Sequence, residues 1–577
     1  MAQLVSQGDI ADNAHGVTDI LALDPKKTLE NADNYELFAT HADADHECEP
    51  INPGRSNWGK DDPQYRAPSP GEPDGPSDHD SPDHGPSKIP WAPCSWANLP
   101  AVGDSTDCAT LNVPLDYTSP GSNSSIDLQL LRLKATNTPV KGSILFNPGG
   151  PGNTAVDWIA NRGSTLLKIL GGHFNIIGFD PRLRLPQFNS WPELQRHWDG
   201  YGKFADSCFK HLNDRGRFIG TAFTARDMLA IVDALEEDGK LWYWGISYGT
   251  VLGQVFAAMF PDRVGRLLLD ANLLAEDYLV SGASGSPRDA EKSLNHLLSE
   301  CFKAGPKSCA LAGYSKTAQD VRRDLENLFT ELINADKVSP EWHLNPGEFP
   351  RGGVSVLGKL KDLIFKRLYV HWKWEDAADI LLSALEGNWR QALRLNDDDD
   401  DTASALSGKL WNRDEDSFHG IACSDSYLRA EAPEDVYSLL QAHMAQSSFA
   451  DAIAPNRLLC SRWKLDAAEK VNTSLLRNVN TSFPILFANG EYDPVTPLSH
   501  AWEASARFRG SRVLVHTGVG HGVTGHTSDC TNQAIREYFE DGKLPDVDTV
   551  CEPNRPVFEP QDQNQLQYNL KWAGEFI

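Results

Sequence analysis

Ser247 stands in the stretch Gly245-Ile246-Ser247-Tyr248-Gly249. A serine hydroxyl is a weak nucleophile until a base takes its proton and an acid orients that base. Two segments further along can supply these partners. Asp493 lies in Asn489-Gly-Glu-Tyr-Asp493-Pro-Val-Thr496-Pro, and His521 lies in Thr517-Gly-Val-Gly-His521-Gly522. Glycines on both sides let His521 protrude from a loop, and the order Ser, Asp, His suits a nucleophile carried on a strand–turn–helix elbow. Glu491 is a competing acid, but the position of Asp493 just past a strand favours Asp493. Acyl transfer also needs backbone N–H groups for a developing oxyanion. Tyr248 after the nucleophile and Gly150 in Asn147-Pro-Gly-Gly-Pro-Gly152 are the candidates, with Gly149 and Gly152 beside them. The five-residue serine pattern alone arises by chance in long chains. Four elements in one order do not.

The elements needed to position these residues are visible in the periodicity. Cys108–Tyr117 and Ile126–Ala135 read as paired strands around a Ser119-Pro120-Gly121 turn. Ser143–Phe146, Phe174–Phe179, Leu241–Trp244, Arg266–Leu269, Pro484–Ala488 and Arg512–Val515 are short apolar runs that alternate with helical segments. The spacing predicts a helix over Thr224–Glu237 with a capping-box-like start at Thr224 and Asp227. It predicts others after Ser247, ended by Pro261, after Thr496 as N-cap, and over Thr531–Phe539. Strands alternating with helices imply an α/β fold with a mostly parallel sheet flanked by helices. Residues 278–475 break the rhythm with Leu/Ala/Trp-rich helical periodicity. They read as a helical cap inserted between a first core half (91–277) and a second (476–577), placed over the strand ends where such sheets bind ligands.

The chain has 577 residues, 80 acidic against 53 basic, for a net charge of −27. So negative a surface disfavours nucleic acid and anionic membrane as partners. The sequence offers no apolar run of about 20 residues to span a bilayer. Residues 1–90 form a Pro/Gly/Ser/Asp-rich acidic extension, expected to be largely disordered. His79 and His84 within it read as solvated linker residues, and Asp397–Asp401 as a solvated loop, so neither suggests a metal site. No cofactor is implied. Of ten cysteines none has Cys-x-x-Cys spacing. Cys94/Cys108, Cys301/Cys309, Cys423/Cys460 and Cys530/Cys551 are placed to pair, leaving Cys48 and Cys208, and disulfides are favoured over buried thiols. With the sequons at Asn123, Asn472 and Asn480 this suits a secreted glycoprotein. Met1–Leu21 lacks the basic and apolar regions of a signal peptide, so an intracellular location stays open.

Taken together, Asn-Pro-Gly-Gly-Pro-Gly, Gly-Ile-Ser-Tyr-Gly-Thr, Asp-Pro-Val-Thr-Pro, Gly-His-Gly and the closing Cys530…Gly542-Lys-Leu-Pro…Cys551 segment resemble the tripeptidyl-aminopeptidase-like branch of the α/β-hydrolases, relatives of proline iminopeptidases. The resemblance runs from about Cys94 to Cys551. It implies an exopeptidase-type serine hydrolase with a helical cap, usually exported and disulfide-bonded, acting through the same Ser247, Asp493 and His521. Two departures stand out: Gly152 is followed by Asn153-Thr154-Ala155 where the group has Gly-Gly-Ser-Gly, and Asp180-Pro-Arg is followed by Leu183-Arg-Leu-Pro-Gln-Phe188 instead of a glycine-rich loop. An aminopeptidase needs a carboxylate for the substrate ammonium, because an unpaired buried charge is costly. Glu276, Asp277 and Asp425 are the candidates. The substrate is expected to be a small peptide, with a small-molecule ester as the alternative. A catalytically dead binding protein would be expected to have lost one of the three residues, and none is lost.

Overall fold

The computed structural model describes residues 88–94, 105–119, 124–180, 194–281, 285–335, 353–393, 414–450 and 459–558. The acidic extension before Lys88, the loop Leu183–Phe188 and the run Asp397–Asp401 lie outside them.

A ten-stranded sheet runs in the order β1-β2-β3-β5-β4-β6-β7-β8-β9-β10. The antiparallel edge comprises β1 (Ala92–Pro93), β2 (Thr106–Pro114) and β3 (Ser125–Leu133). From β5 (Phe174–Phe179) through β4 (Gly142–Asn147), β6 (Leu241–Ile246), β7 (Val264–Asp270), β8 (Leu486–Tyr492) and β9 (Arg512–Val519) to β10 (Val550–Cys551), every pairing is parallel. The parallel strands are mostly apolar because both faces are covered. Leu145, Tyr243, Leu267, Leu269 and Phe487 join one core, while Phe146, Trp244, Leu268 and Leu486 join the core on the other face.

The covering helices are α1 (Ala155–Ile169), α2 (Leu194–Leu212), α3 (Thr221–Leu235) and α4 (Tyr248–Met259) in the first half, and α13 (Leu498–Ser505) and α14 (Asp529–Asp541) in the second. Between them come α5 (Ala275–Ser281), α6 (Ala290–Ala304), α7 (Ala318–Ala335), α8 (Gly353–Leu368), α9 (Trp374–Leu385), α10 (Trp389–Ala392), α11 (Asp414–Asp425) and α12 (Pro433–Met444). Their packing divides this stretch. Helices α6 to α10 build a core of their own around Leu294, Leu325, Leu360, Trp374 and Leu381. By contrast, Ile421, Cys423, Trp463 and Val471 pack into the core of the sheet itself.

Three predicted helix starts differ from the structure: α14 opens at Asp529, two residues before Thr531, with Ser528 as its N-cap, and α3 and α13 also start elsewhere. Helix α3 begins three residues early, with Gly220 as N-cap and no capping side chain. Its first N–H groups are served instead by Asp425 at the end of α11, which accepts from Thr221 N–H at 2.7 Å. Thr224 lies inside the helix, and Asp227 accepts from Tyr117 Oη at 2.9 Å. Helix α13 has Pro497 as its N-cap, without a capping side chain, so Thr496 does not fill that role.

Four disulfides join described residues: Cys94–Cys108, Cys301–Cys309, Cys423–Cys460 and Cys530–Cys551. Cys208, set aside as unpaired from its sequence position, is disulfide-bonded as well. The Cys423–Cys460 bridge ties α11 to a segment 37 residues on. Closing a loop of that length stabilises by about 4 kcal/mol in the chain-entropy treatment. The double variant Cys423→Ser/Cys460→Ser is expected to unfold at clearly lower urea. A midpoint equal to wild type would show that the bridge contributes nothing.

Candidate active site

The sheet reverses its winding between β5 and β6, so the carboxyl ends of neighbouring β4 and β6 open a crevice at the switch point. Ser247 leaves β6 there as the N-cap of α4, with φ 58° and ψ −122°. This backbone conformation is rare for a residue with a side chain and costs on the order of 1–3 kcal/mol. It holds because its surroundings fix it. Ser247 N–H donates to the Asp270 carbonyl at 3.0 Å, and Thr250 N–H donates back to the Ser247 carbonyl at 2.8 Å. From Tyr243 to Ala258 every residue is buried except Ser247.

Two glycines are required by contact. A Cβ on Gly249 would lie 2.8 Å from the Asn147 carbonyl oxygen, so the helix start could not approach β4. A Cβ on Gly149 would lie 2.8 Å from Ser247 Cβ and 3.2 Å from Tyr248 N. The glycine loop therefore lies directly against the elbow. Gly149 N–H is taken by Asn147 Oδ1 at 2.9 Å, which removes it as an oxyanion donor. Tyr248 N–H belongs to the first helical turn, where N–H groups have no partner within the helix. Helix α4 carries no acidic residue in that turn, so its positive end is not offset.

The Tyr248 side chain is anchored away from the crevice. Its hydroxyl pairs with Thr221 Oγ1 at 2.6 Å, Thr221 Oγ1 donates to Asp425, and Tyr278 Oη donates to Asp425 at 3.2 Å. Burial raises Asp425 to about 6 against these hydrogen bonds.

Asp493, wholly buried, follows β8. Its Oδ1 accepts from Val495 N–H at 3.0 Å and Thr496 N–H at 2.9 Å. Its Oδ2 accepts from Gly522 N–H at 3.2 Å and from His521 Nδ1 at 2.8 Å. Placing the proton on Nδ1 leaves Nε2 as the free base. Burial acts against both charges, but the pair overcomes it: the Asp493 carboxyl is held below its ordinary range and the His521 imidazole above. Thr496, relieved of the cap expected for it, has its hydroxyl 3.4 Å from the same Nδ1. Glu491 faces Lys292 of α6 at 3.3 Å instead.

Sequence reasoning missed several supporting residues. Tyr369, after α8, accepts from His521 N–H at 2.7 Å through its carbonyl and lays its ring 5.0 Å from the imidazole. Asn489 Oδ1 accepts from Asn272 N–H at 2.7 Å, and its Nδ2 donates to the Thr496 carbonyl at 2.9 Å, tying the ends of β7 and β8 to the Asp493 turn. Asp270 accepts from Val523 N–H at 3.0 Å. Its only sequence signal was an acid closing an otherwise apolar strand.

The proposed ammonium partners have other commitments. Glu276 is held by Arg477 at 2.6 Å and Arg507 at 3.0 Å, Asp277 accepts from Gly285 N–H at 2.9 Å, and Asp425 serves Thr221 and Tyr278. A carboxylate already neutralised or hydrogen-bonded gains less from a further cation, and neither Glu276 nor Asp425 stands free in this structure. Among the described residues no group of three or more His, Cys, Asp or Glu is arranged to hold a metal.

Comparison with known proteins bears on the fold and class. Residues 142–291 match the family described as alpha/beta hydrolase fold, and residues 445–551 match the family described as TAP-like protein. The chain has the α/β-hydrolase fold, and its relatives support a serine hydrolase. It is 24% identical over 494 residues to a tripeptidyl aminopeptidase of Streptomyces lividans, covering 81% of this chain and 87% of that one. It is 24% identical to serine protease Hip1 of Mycobacterium tuberculosis, covering 80% and 91%. Carboxylesterase B of the same organism is 26% identical, covering 77% and 86%.

Two outcomes follow from the strain and the buried charges. Glycine adopts the Ser247 conformation freely, so Ser247→Gly should be more stable than Ser247→Ala by about 1 kcal/mol. Equal melting temperatures would deny the strain. Behind the histidine loop, burial and the neighbouring His526 push His516 down to about 4. Its folded pKa lies below the unfolded value, so its contribution is present above pH 6.5 and lost as pH falls toward 4. That amounts to about 2 kcal/mol between pH 6.5 and 5. The melting curve of His516→Asn should be flatter with pH than that of wild type over this range, and parallel curves would refute the assignment.

Proposed function

We propose that the chain cleaves short peptides from a free N-terminus through an acyl-enzyme on Ser247. The observation that carries this reading is the His521–Asp493 hydrogen bond, made by loops that adjoin the elbow of the one accessible residue in a buried run. In this mechanism His521 Nε2 takes the Ser247 proton as Oγ bonds to the scissile carbonyl carbon. The carbonyl electron pair moves to oxygen, where the N–H groups of Tyr248 and Gly150 stabilise it. The imidazolium then gives its proton to the leaving amine as the C–N bond breaks. Water, deprotonated by the same Nε2, then attacks the acyl carbon; the acyl C–Oγ bond breaks, the imidazolium returns the proton to Ser247 Oγ, and the second product leaves as a carboxylic acid. Asp493 keeps the imidazole in its tautomer and stabilises the imidazolium without taking the proton.

The relatives named tripeptidyl aminopeptidase and serine protease support a peptide substrate. Four disulfides support an oxidising, extracytoplasmic location. A second reading, an esterase acting on a small molecule, is favoured by the relative named carboxylesterase B and by the altered loop after Asp180.

Incubation with a fluorophosphonate probe should label the wild-type chain and leave Ser247→Ala unlabelled. Tripeptidyl amides should be turned over, with loss of at least about 10³-fold in kcat for Ser247→Ala. Turnover of simple esters without any amide cleavage would replace the peptidase reading by the esterase one. Labelling that survives in Ser247→Ala would overturn both.

A further inference from the structure

The end of β7 carries a carboxylate that the relay above does not use. Asp270 is 0% exposed and lies in register with Ile246 of β6 on one side and Ala488 of β8 on the other. It is thus flanked by the strands that deliver Ser247 and Asp493. Its carbonyl accepts from Ser247 N–H at 3.0 Å. Its Oδ1 accepts from Val523 N–H at 3.0 Å, two residues beyond His521. A Cβ on Gly522 would lie only 3.7 Å and 3.8 Å from its two carboxylate oxygens. Its Oδ2 has no partner in hydrogen-bond geometry, the Trp244 indole being the neighbouring donor.

A plain structural tie does not call for this residue type. Asparagine would offer Val523 the same acceptor without a carboxylate buried from water, and such burial is expensive. What the charge adds is its effect on the neighbouring imidazole.

We propose that Asp270 is a positioning residue of the hydrolytic site: its carbonyl fixes the elbow, its Oδ1 fixes the histidine loop, and its carboxylate strengthens His521 as a base. The inference rests on the assignment of Ser247, His521 and Asp493 above. Burial raises Asp270 to about 7, and the like charge of Asp493 adds to that. The His521 charge works the other way, and an ionised Asp270 in turn raises His521. When His521 takes the Ser247 proton, the new imidazolium therefore draws Asp270 to its ionised form. No bond of Asp270 is made or broken in the acyl transfer.

The test is the rate of fluorophosphonate labelling from pH 5 to 9 in wild type, Asp270→Asn and Ser247→Ala. Asp270→Asn keeps the acceptor for Val523 and removes the charge. It should melt close to wild type and label on the order of 10- to 100-fold more slowly near pH 8. Its acid limb should fall at a pH lower by about half a unit or more, because His521 has lost a charge that raised it. Labelling at the wild-type rate, or slower labelling with an unmoved acid limb, overturns the proposal. If Asp270→Asn does not fold, the wild-type profile decides. Two coupled groups give an acid limb whose slope approaches two in log rate against pH, and a slope of one overturns the proposal. Labelling of Ser247→Ala would instead defeat the underlying assignment, so the two failures are distinguishable.

Discussion

The site depends on how closely two strand ends can approach. Neighbouring parallel strands stand about 4.8 Å apart. The turn after β4 and the elbow after β6 must fit within that spacing, which leaves no room for side chains between them. The Gly149 and Ser247 backbones are close enough that a single added methyl group would overlap. The positive φ of Ser247 follows from the same crowding, since the chain must reverse at once into a buried helix. The hydrogen bond from Ser247 N–H to Asp270 and that from Thr250 to Ser247 compensate for the strain.

Two buried carboxylates near the imidazole illustrate how environment assigns roles. Asp493 is met by three backbone N–H groups and by His521, so its charge is fully hydrogen-bonded and its pKa stays low. Asp270 has one backbone N–H on Oδ1 and only the poorly aligned Trp244 indole near Oδ2, and burial raises its pKa to about 7. Both lie at carboxyl ends of adjacent strands and both are buried. The number of donors pointed at each separates the fixed negative charge from the one that responds to its neighbour's protonation.

Much of this was legible in the sequence, and the legible parts share a physical cause. Strand Phe174–Phe179 is read to the residue because a strand buried on both faces is a continuous apolar run bounded by polar turns. The turns that carry Ser247, Asp493 and His521 were legible because each needs small or turn-forming residues beside it. The helix starts at Thr221 and Leu498 were misread because their first N–H groups do not depend on local side chains. Thr221 is served by Asp425, 204 residues away, and no local pattern records that. Glu276 and Asp425 were chosen as free carboxylates for the same reason: Arg477, Arg507, Thr221 and Tyr278 reach them only in the fold. Asp270 and Asn489 also act through partners distant in sequence.

The helical segments between β7 and β8 also make direct contacts with the candidate site. The Tyr369 carbonyl receives His521 N–H, and the backbone of Tyr369 and His371 would lie 2.9 Å and 3.1 Å from a Cβ on Gly520. The histidine loop is thus clamped between Asp270 and Val523 below and the segment after α8 above. On the other side of the elbow, Asp425 of α11 holds the start of α3 and, through Thr221, the ring of Tyr248. Two segments between β7 and β8 therefore hold different parts of the candidate site, one the His521 loop and the other the Tyr248 side chain. Any displacement of these helices alters the geometry of catalysis as well as access to it. In the reading proposed above, the strained serine turn and the histidine loop are therefore held partly by contacts from outside the sheet.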